Sequence, residues 1–97
     1  MTRFSLEDKN PIVITLAHRK LSSVLIETDT PVTISLLGSY DGNHFYPVCS
    51  IDGKSYIISA KYSAIFPVED NITESLQYIK FVSPVASKAH ITPYVEA

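Results

Sequence analysis

Apolar residues along this chain come in short runs separated by polar turn residues. The plainest run covers residues 32–37, where Val32, Ile34 and Leu36 alternate with Thr33 and Ser35. One apolar and one polar face at period two is the pattern of a strand with one side on a core. Leu37 breaks the alternation, and Gly38 marks a bulge or a close backbone approach. The polar turn Ser39-Tyr40-Asp41-Gly42-Asn43-His44 follows, rich in residues that accept positive φ. Residues 45–51 return as the partner strand. Pro47 places that strand at an edge or a bulge, because proline gives no N–H to a ladder.

The same grammar runs through the rest of the chain. Pro11 opens the β-branched run 12–17, and the polar break His18-Arg19-Lys20 closes it. Residues 22–28 form a second strand, closed by Asp29-Thr30-Pro31. Asp52-Gly53 lies between two β-rich runs, the preferred centre of a two-residue type I′ hairpin. Strands follow at 56–60 and, after Lys61-Tyr62-Ser63, at 64–68. A polar loop over 69–75 leads to the strand 76–82, and a connector over 85–88 leads to the last strand, 89–95. Residues 1–10 read as an N-terminal arm that pairs or docks, with Phe4 and Leu6 two positions apart. About eight short strands at regular spacing, with no amphipathic helical stretch, predict an all-β chain: a single antiparallel β-sandwich spanning 1–97. Phe45, Tyr56, Phe66 and Phe81 are expected in the core, and Tyr40, Tyr62 and Tyr94 on the surface.

Composition narrows the function classes. Hydrophobic residues make up 45% of the 97, enough for a packed core and too much for a disordered tail. The formal net charge is −2, with no block of like charge, so no basic face is available to neutralise phosphates and nucleic acid is not expected as a partner. The start of the sequence has no apolar signal region, and no apolar run reaches the ~18 residues of a membrane helix. The expectation is a product with no membrane association, made in a reducing compartment. Cys49, the one cysteine, lies in an apolar strand context and reads as a small buried hydrophobe.

Candidate chemistry is sparse. His18, His44 and His90 follow no metal-ligand spacing. Asp41, Asn43 and Asp52 belong to turns and lack the regular carboxylates of a calcium loop. No G-x-S-x-G occurs, and Glu27, Asp70 and Glu74 are not arranged as a carboxylate pair. Asn71-Ile72-Thr73 matches a glycosylation acceptor, which is idle without a secretory signal. The chain therefore reads as non-enzymatic, with no cofactor and no metal. Six tyrosines and four phenylalanines without tryptophan leave two uses for exposed aromatic rings, protein contact and sugar stacking.

The stretch Gly38-Ser39-Tyr40-Asp41-Gly42-Asn43-His44-Phe45-Tyr46-Pro47-Val48, the later Tyr78-Ile79-Lys80-Phe81-Val82 and the final Ile91-Thr92-Pro93-Tyr94-Val95 carry a resemblance. Together they resemble small virion proteins of tailed bacteriophages, over roughly residues 31 to 95. The same pattern is similar to discoidin-type carbohydrate-binding sandwiches. The phage resemblance implies a jelly-roll or related sandwich, found in head decoration (cement) proteins and in tail or baseplate modules. It further implies a virion location after synthesis in the host cytoplasm, no cofactor, and a homo-oligomer bound to the major capsid protein or other virion subunits. The contact residues expected on that reading are Phe4, Leu6, Tyr40 and Tyr94. The alternative to capsid decoration is a tail or baseplate component, or a carbohydrate-binding module.

Overall fold

A computed structural model describes residues 2–6, 11–49, 52–68, 75–83 and 88–96. The Asn71-Ile72-Thr73 acceptor, Asp70 and Glu74, most of the 85–88 connector, residues 7–10 of the arm and the end of the 45–51 strand lie outside the described residues. Nine strands are described: β1 (Phe4–Ser5), β2 (Ile12–Thr15), β3 (Lys20–Glu27), β4 (Val32–Ser39), β5 (Tyr46–Pro47), β6 (Ile57–Ala60), β7 (Ala64–Pro67), β8 (Tyr78–Val82) and β9 (His90–Glu96). They form two antiparallel sheets, β1-β9-β3-β7 and β2-β8-β4-β5, with β6 also on β4. The chain is the expected all-β sandwich.

The pairing has one simple logic. β1 pairs β9, β2 pairs β8, β3 pairs β7 and β4 pairs β6, like the rungs of one long hairpin whose tip lies between β4 and β6. That hairpin is then rolled up. The added pairings β3 with β9 and β4 with β8 close it into two facing sheets. This strand order is that of a jelly roll.

β5 and β6 share the same edge of β4. Residues 32–35 of β4 pair with β6, and Leu37 and Gly38 pair with β5. Between them Leu36 serves both, donating its N–H to Tyr56 O and accepting from Val48 N–H. A Cys49–Ser55 bridge extends from this junction, closed at its base by Tyr56 N–H to Val48 O at 2.7 Å. The two-residue type I′ hairpin expected at Asp52-Gly53 is therefore not formed. Gly53 has φ 85°, and the bridge pairs residues too far apart for a two-residue turn. Asp52 Oδ1 instead accepts from Lys54 N–H, an Asx-type turn.

The alternation of β4 is borne out residue by residue: Val32, Ile34 and Leu36 are buried, and Thr33 and Ser35 are not. Phe81 of β8 stands between Ile12 and Leu36 in the register, with all three side chains buried. From the other sheet Leu21, Val24, Ile26 and Ile91 meet them in one cluster. Leu21 and Val24 are an odd distance apart, yet both point inward. A bulge at Ser22, where the β3–β9 register slips between Leu21 and Ser23, resets the phase. Each such fully buried side chain contributes about 1.5–3 kcal/mol. Of the aromatics expected in the core, Phe81 is fully buried, Tyr56 and Phe66 pack partly against it, and Phe45 does not belong to it. Cys49, expected buried, is exposed, because its neighbour Val48 takes the inward position.

Of the two uses expected of the N-terminal segment, its described residues show pairing, within the same sandwich. β1 is an edge strand of the sandwich, Leu6 N–H donates to Ala89 O, and Leu6 is 1% exposed. The two-residue spacing of Phe4 and Leu6 is the alternation of a paired segment that closes one side of the core.

Candidate functional site

Two surfaces stand out. The first is the outer face of the β1-β9-β3-β7 sheet. Because Val24 and Ile26 point inward, Ser23 and Leu25 point outward. In the register Leu25 lies between Ile65 and Thr92, and Ser23 lies between Pro67 and Tyr94. Ile65 is 69% exposed, Tyr94 is 42% exposed and Pro67 is exposed. Ile65, Leu25, Pro67 and Tyr94 thus form an apolar patch next to β7, the edge strand of its sheet.

The second surface is built by the turn after β4. Ser39 is buried and its hydroxyl works in three directions: it donates to Asp41 Oδ1 at 3.0 Å and accepts from the N–H groups of Asp41 and Gly42. Asp41 Oδ1 also accepts from the N–H of Asn43 and of His44, at 2.8 and 2.9 Å. Asp41 Oδ2 takes the Nδ1–H of His44 at 2.8 Å, since an ionised carboxylate can only accept. These donors hold the Asp41 carboxyl well below the usual carboxylate range, the His44 backbone N–H contributing most, then the His44 side chain and the Asn43 N–H. Gly42, at φ 82°, lies against the ring of Tyr78, where an added Cβ would meet ring carbon at 3.1 Å. Phe45 covers Lys80, whose Nζ stands 4.6 Å from the ring centroid. The turn is therefore folded back onto β8 and held there.

Beside this turn opens a cleft of about 530 Å³. Gly38, Val48 and Leu76 give it an apolar part, Asp41 and His44 a polar part, and Tyr40 and Tyr46 line it while remaining 73% and 67% exposed. Among the described residues, no group of three or more His, Cys, Asp or Glu side chains converges as a metal site, and no helix is long and apolar enough to cross a membrane.

No family model, no curated protein and no solved structure matches this chain.

The four residues expected as contacts are not brought together. Leu6 is a core residue and cannot serve as an exposed contact, because its side chain closes the sandwich beneath β1. Phe4 packs partly against the same core. Tyr40 lines the cleft, and Tyr94 lies on the outer face of the other sheet. Sequence reasoning missed Ile65 and Tyr46. The signal for Ile65 is present in Ala64-Ile65-Phe66-Pro67: once Phe66 faces the core, alternation puts Ile65 outside. For Tyr46 the signal was indirect: its exposure goes with β5 lying at the sheet edge, which Pro47 marks.

Proposed function

We propose that this chain is a non-enzymatic structural subunit of a virus particle, a decoration protein that stabilises a shell through protein–protein contacts. The observation that carries the reading is the apolar patch of Ile65, Leu25, Pro67 and Tyr94 on an outward sheet face. Apolar side chains concentrated beside an edge strand favour burial against another protein surface. The resemblance of the turn and strand motifs to phage virion proteins supports the choice of a shell as that surface, and the jelly-roll order agrees with it. The mechanism is mass action: a subunit that binds the assembled state and not the free shell proteins shifts stability toward the assembly. Repetition over a shell multiplies a modest contact into a large effect.

Quantitative mass spectrometry of purified particles tests this. A copy number near a simple fraction of the major shell subunit is expected, with Ile65→Asp lowering occupancy at unchanged folding. A few copies per particle would move the protein to the tail or baseplate. Absence from particles would overturn the virion reading.

A further inference from the structure

We infer that the cleft between the β4–β5 turn and Leu76 is a binding site for a neutral saccharide. The inference rests on the geometry of the cleft and is independent of whether the protein is found on particles.

Tyr40 and Tyr46 line one opening from the two ends of the same turn, and both keep most of their surface in solvent. Large aromatic side chains left exposed together are unfavourable in water, and the negative face of their rings attracts polarised C–H groups. A sugar ring presents such C–H groups on one face and hydroxyls at its rim. The polar wall suits those hydroxyls. Asp41 is held ionised, and its Oδ2 retains a lone pair beyond the one that His44 uses. With Nδ1–H committed to Asp41, the His44 tautomer that this bond selects carries its acceptor at Nε2. Both are acceptors for hydroxyl donors, and both are fixed in place by the Ser39–Asp41 network before a ligand arrives. Pre-ordering of that kind lowers the entropic cost of binding.

The charge of the cleft selects against anions. Among the described residues that line it no Lys or Arg occurs, and the Asp41 carboxylate repels phosphates and acidic sugars. The cleft volume falls within the range of small-molecule sites, about 300–1,000 Å³. Gly38 is part of this arrangement. With no side chain on Gly38, Leu76 settles over the backbone.

The test is a nuclear magnetic resonance titration of the intact chain with the methyl glycosides of glucose, galactose, mannose, N-acetylglucosamine and glucuronic acid, followed by an array of neutral and acidic oligosaccharides. At least one neutral probe is expected to shift the amide signals of residues 40–46, with Tyr40→Ala and Tyr46→Ala each weakening binding at least tenfold. Tyr62→Ala, equally exposed but outside this cleft, is expected to bind as the unaltered chain does. All three tyrosines are on the surface, so the amide spectra of the variants verify folding directly. The inference is overturned if no neutral probe binds, if only acidic sugars bind, or if both cleft variants keep full affinity.

Discussion

The Cδ1 atom of Leu76 lies 2.6 Å from the point where a Cβ on Gly38 would stand, and Val48 Cγ2 lies 3.1 Å from it. Gly38 is therefore glycine for space, since its φ is not in the left-handed region. The obstacle is the far end of a side chain that can turn aside. Gly38→Ala is expected to cost about 1 kcal/mol, the low end for overpacking. Leu76→Ala in the Gly38→Ala background should recover part of it, a coupling that chemical denaturation of the four proteins of a double-mutant cycle would measure. Additive effects would mean that Leu76 is not the obstacle.

The N-terminal segment is held by a side chain in the core rather than by its charges. Leu6→Ala is expected to cost about 2–5 kcal/mol, as for other fully buried leucines. Arg3 also meets Glu27 through Nε and a second nitrogen, at 3.0 and 3.4 Å, but these side chains are 55% and 39% exposed. Solvent screening reduces such a pair to well under 1 kcal/mol, so Arg3→Ala should leave the denaturation midpoint nearly unchanged. Urea unfolding of the two variants side by side checks this, and a larger loss in Arg3→Ala would reverse the assignment.

What was legible in the sequence was local. The period-two pattern of Val32, Ile34 and Leu36 gave both the strand and its buried face, and Pro47 marked the sheet edge where β5 lies. Gly38 was readable as a close approach, although Leu76, the residue that approaches, comes from a distant part of the chain. The roll itself was not legible, because strand partnership depends on pairings such as Glu27 with His90, which no local pattern encodes. The Asp52-Gly53 motif misled for the same reason: Leu36 binds both Val48 and Tyr56, and that tertiary demand overrides the short turn. For the cleft, Asp41 was legible as a turn residue. Its carboxylate's fixed place beside two exposed tyrosines depends on how β5 and Leu76 pack, and was not.

The Asp41 network makes a prediction about acid. A carboxyl whose pKa is lowered by folding contributes stability that is fully present above its ordinary value of about 3.9. That contribution is lost as pH falls from there through the lowered folded value. Carbon-detected titration of the Asp41 carboxyl should give a midpoint clearly below the ordinary value. Asp41→Asn keeps one oxygen for the N–H groups of Asn43 and His44 but removes the charge, so its stability should fall less steeply with acid over the same range. The half-exposed position of the carboxylate, open to solvent screening, keeps the effect small. A midpoint near 3.9 would contradict the hydrogen-bonded arrangement.

The turn between β2 and β3 offers a gain in stability. Ala17 and His18 have φ of 50° and 67°, and Arg19 N–H donates to Leu16 O at 2.9 Å. Two successive positive-φ residues inside an i to i+3 hydrogen bond make a type I′ turn, whose favoured residues are Asn and Gly. A residue with a Cβ costs about 1–2 kcal/mol in that region, and glycine returns about 0.5–1 kcal/mol of it as unfolded-state entropy. His18→Gly is therefore expected to stabilise the fold by up to about 1 kcal/mol, and Ala17→Asn combined with it by somewhat more. Arg19 should keep the turn in place in both variants, since its guanidinium also bonds Leu16 O and Thr15 O. Thermal unfolding measures the outcome: for a domain of this size, 1 kcal/mol corresponds to a rise in midpoint of about 4–8 °C. A lower midpoint in His18→Gly would mean that the imidazole makes contacts worth more than the backbone strain it imposes.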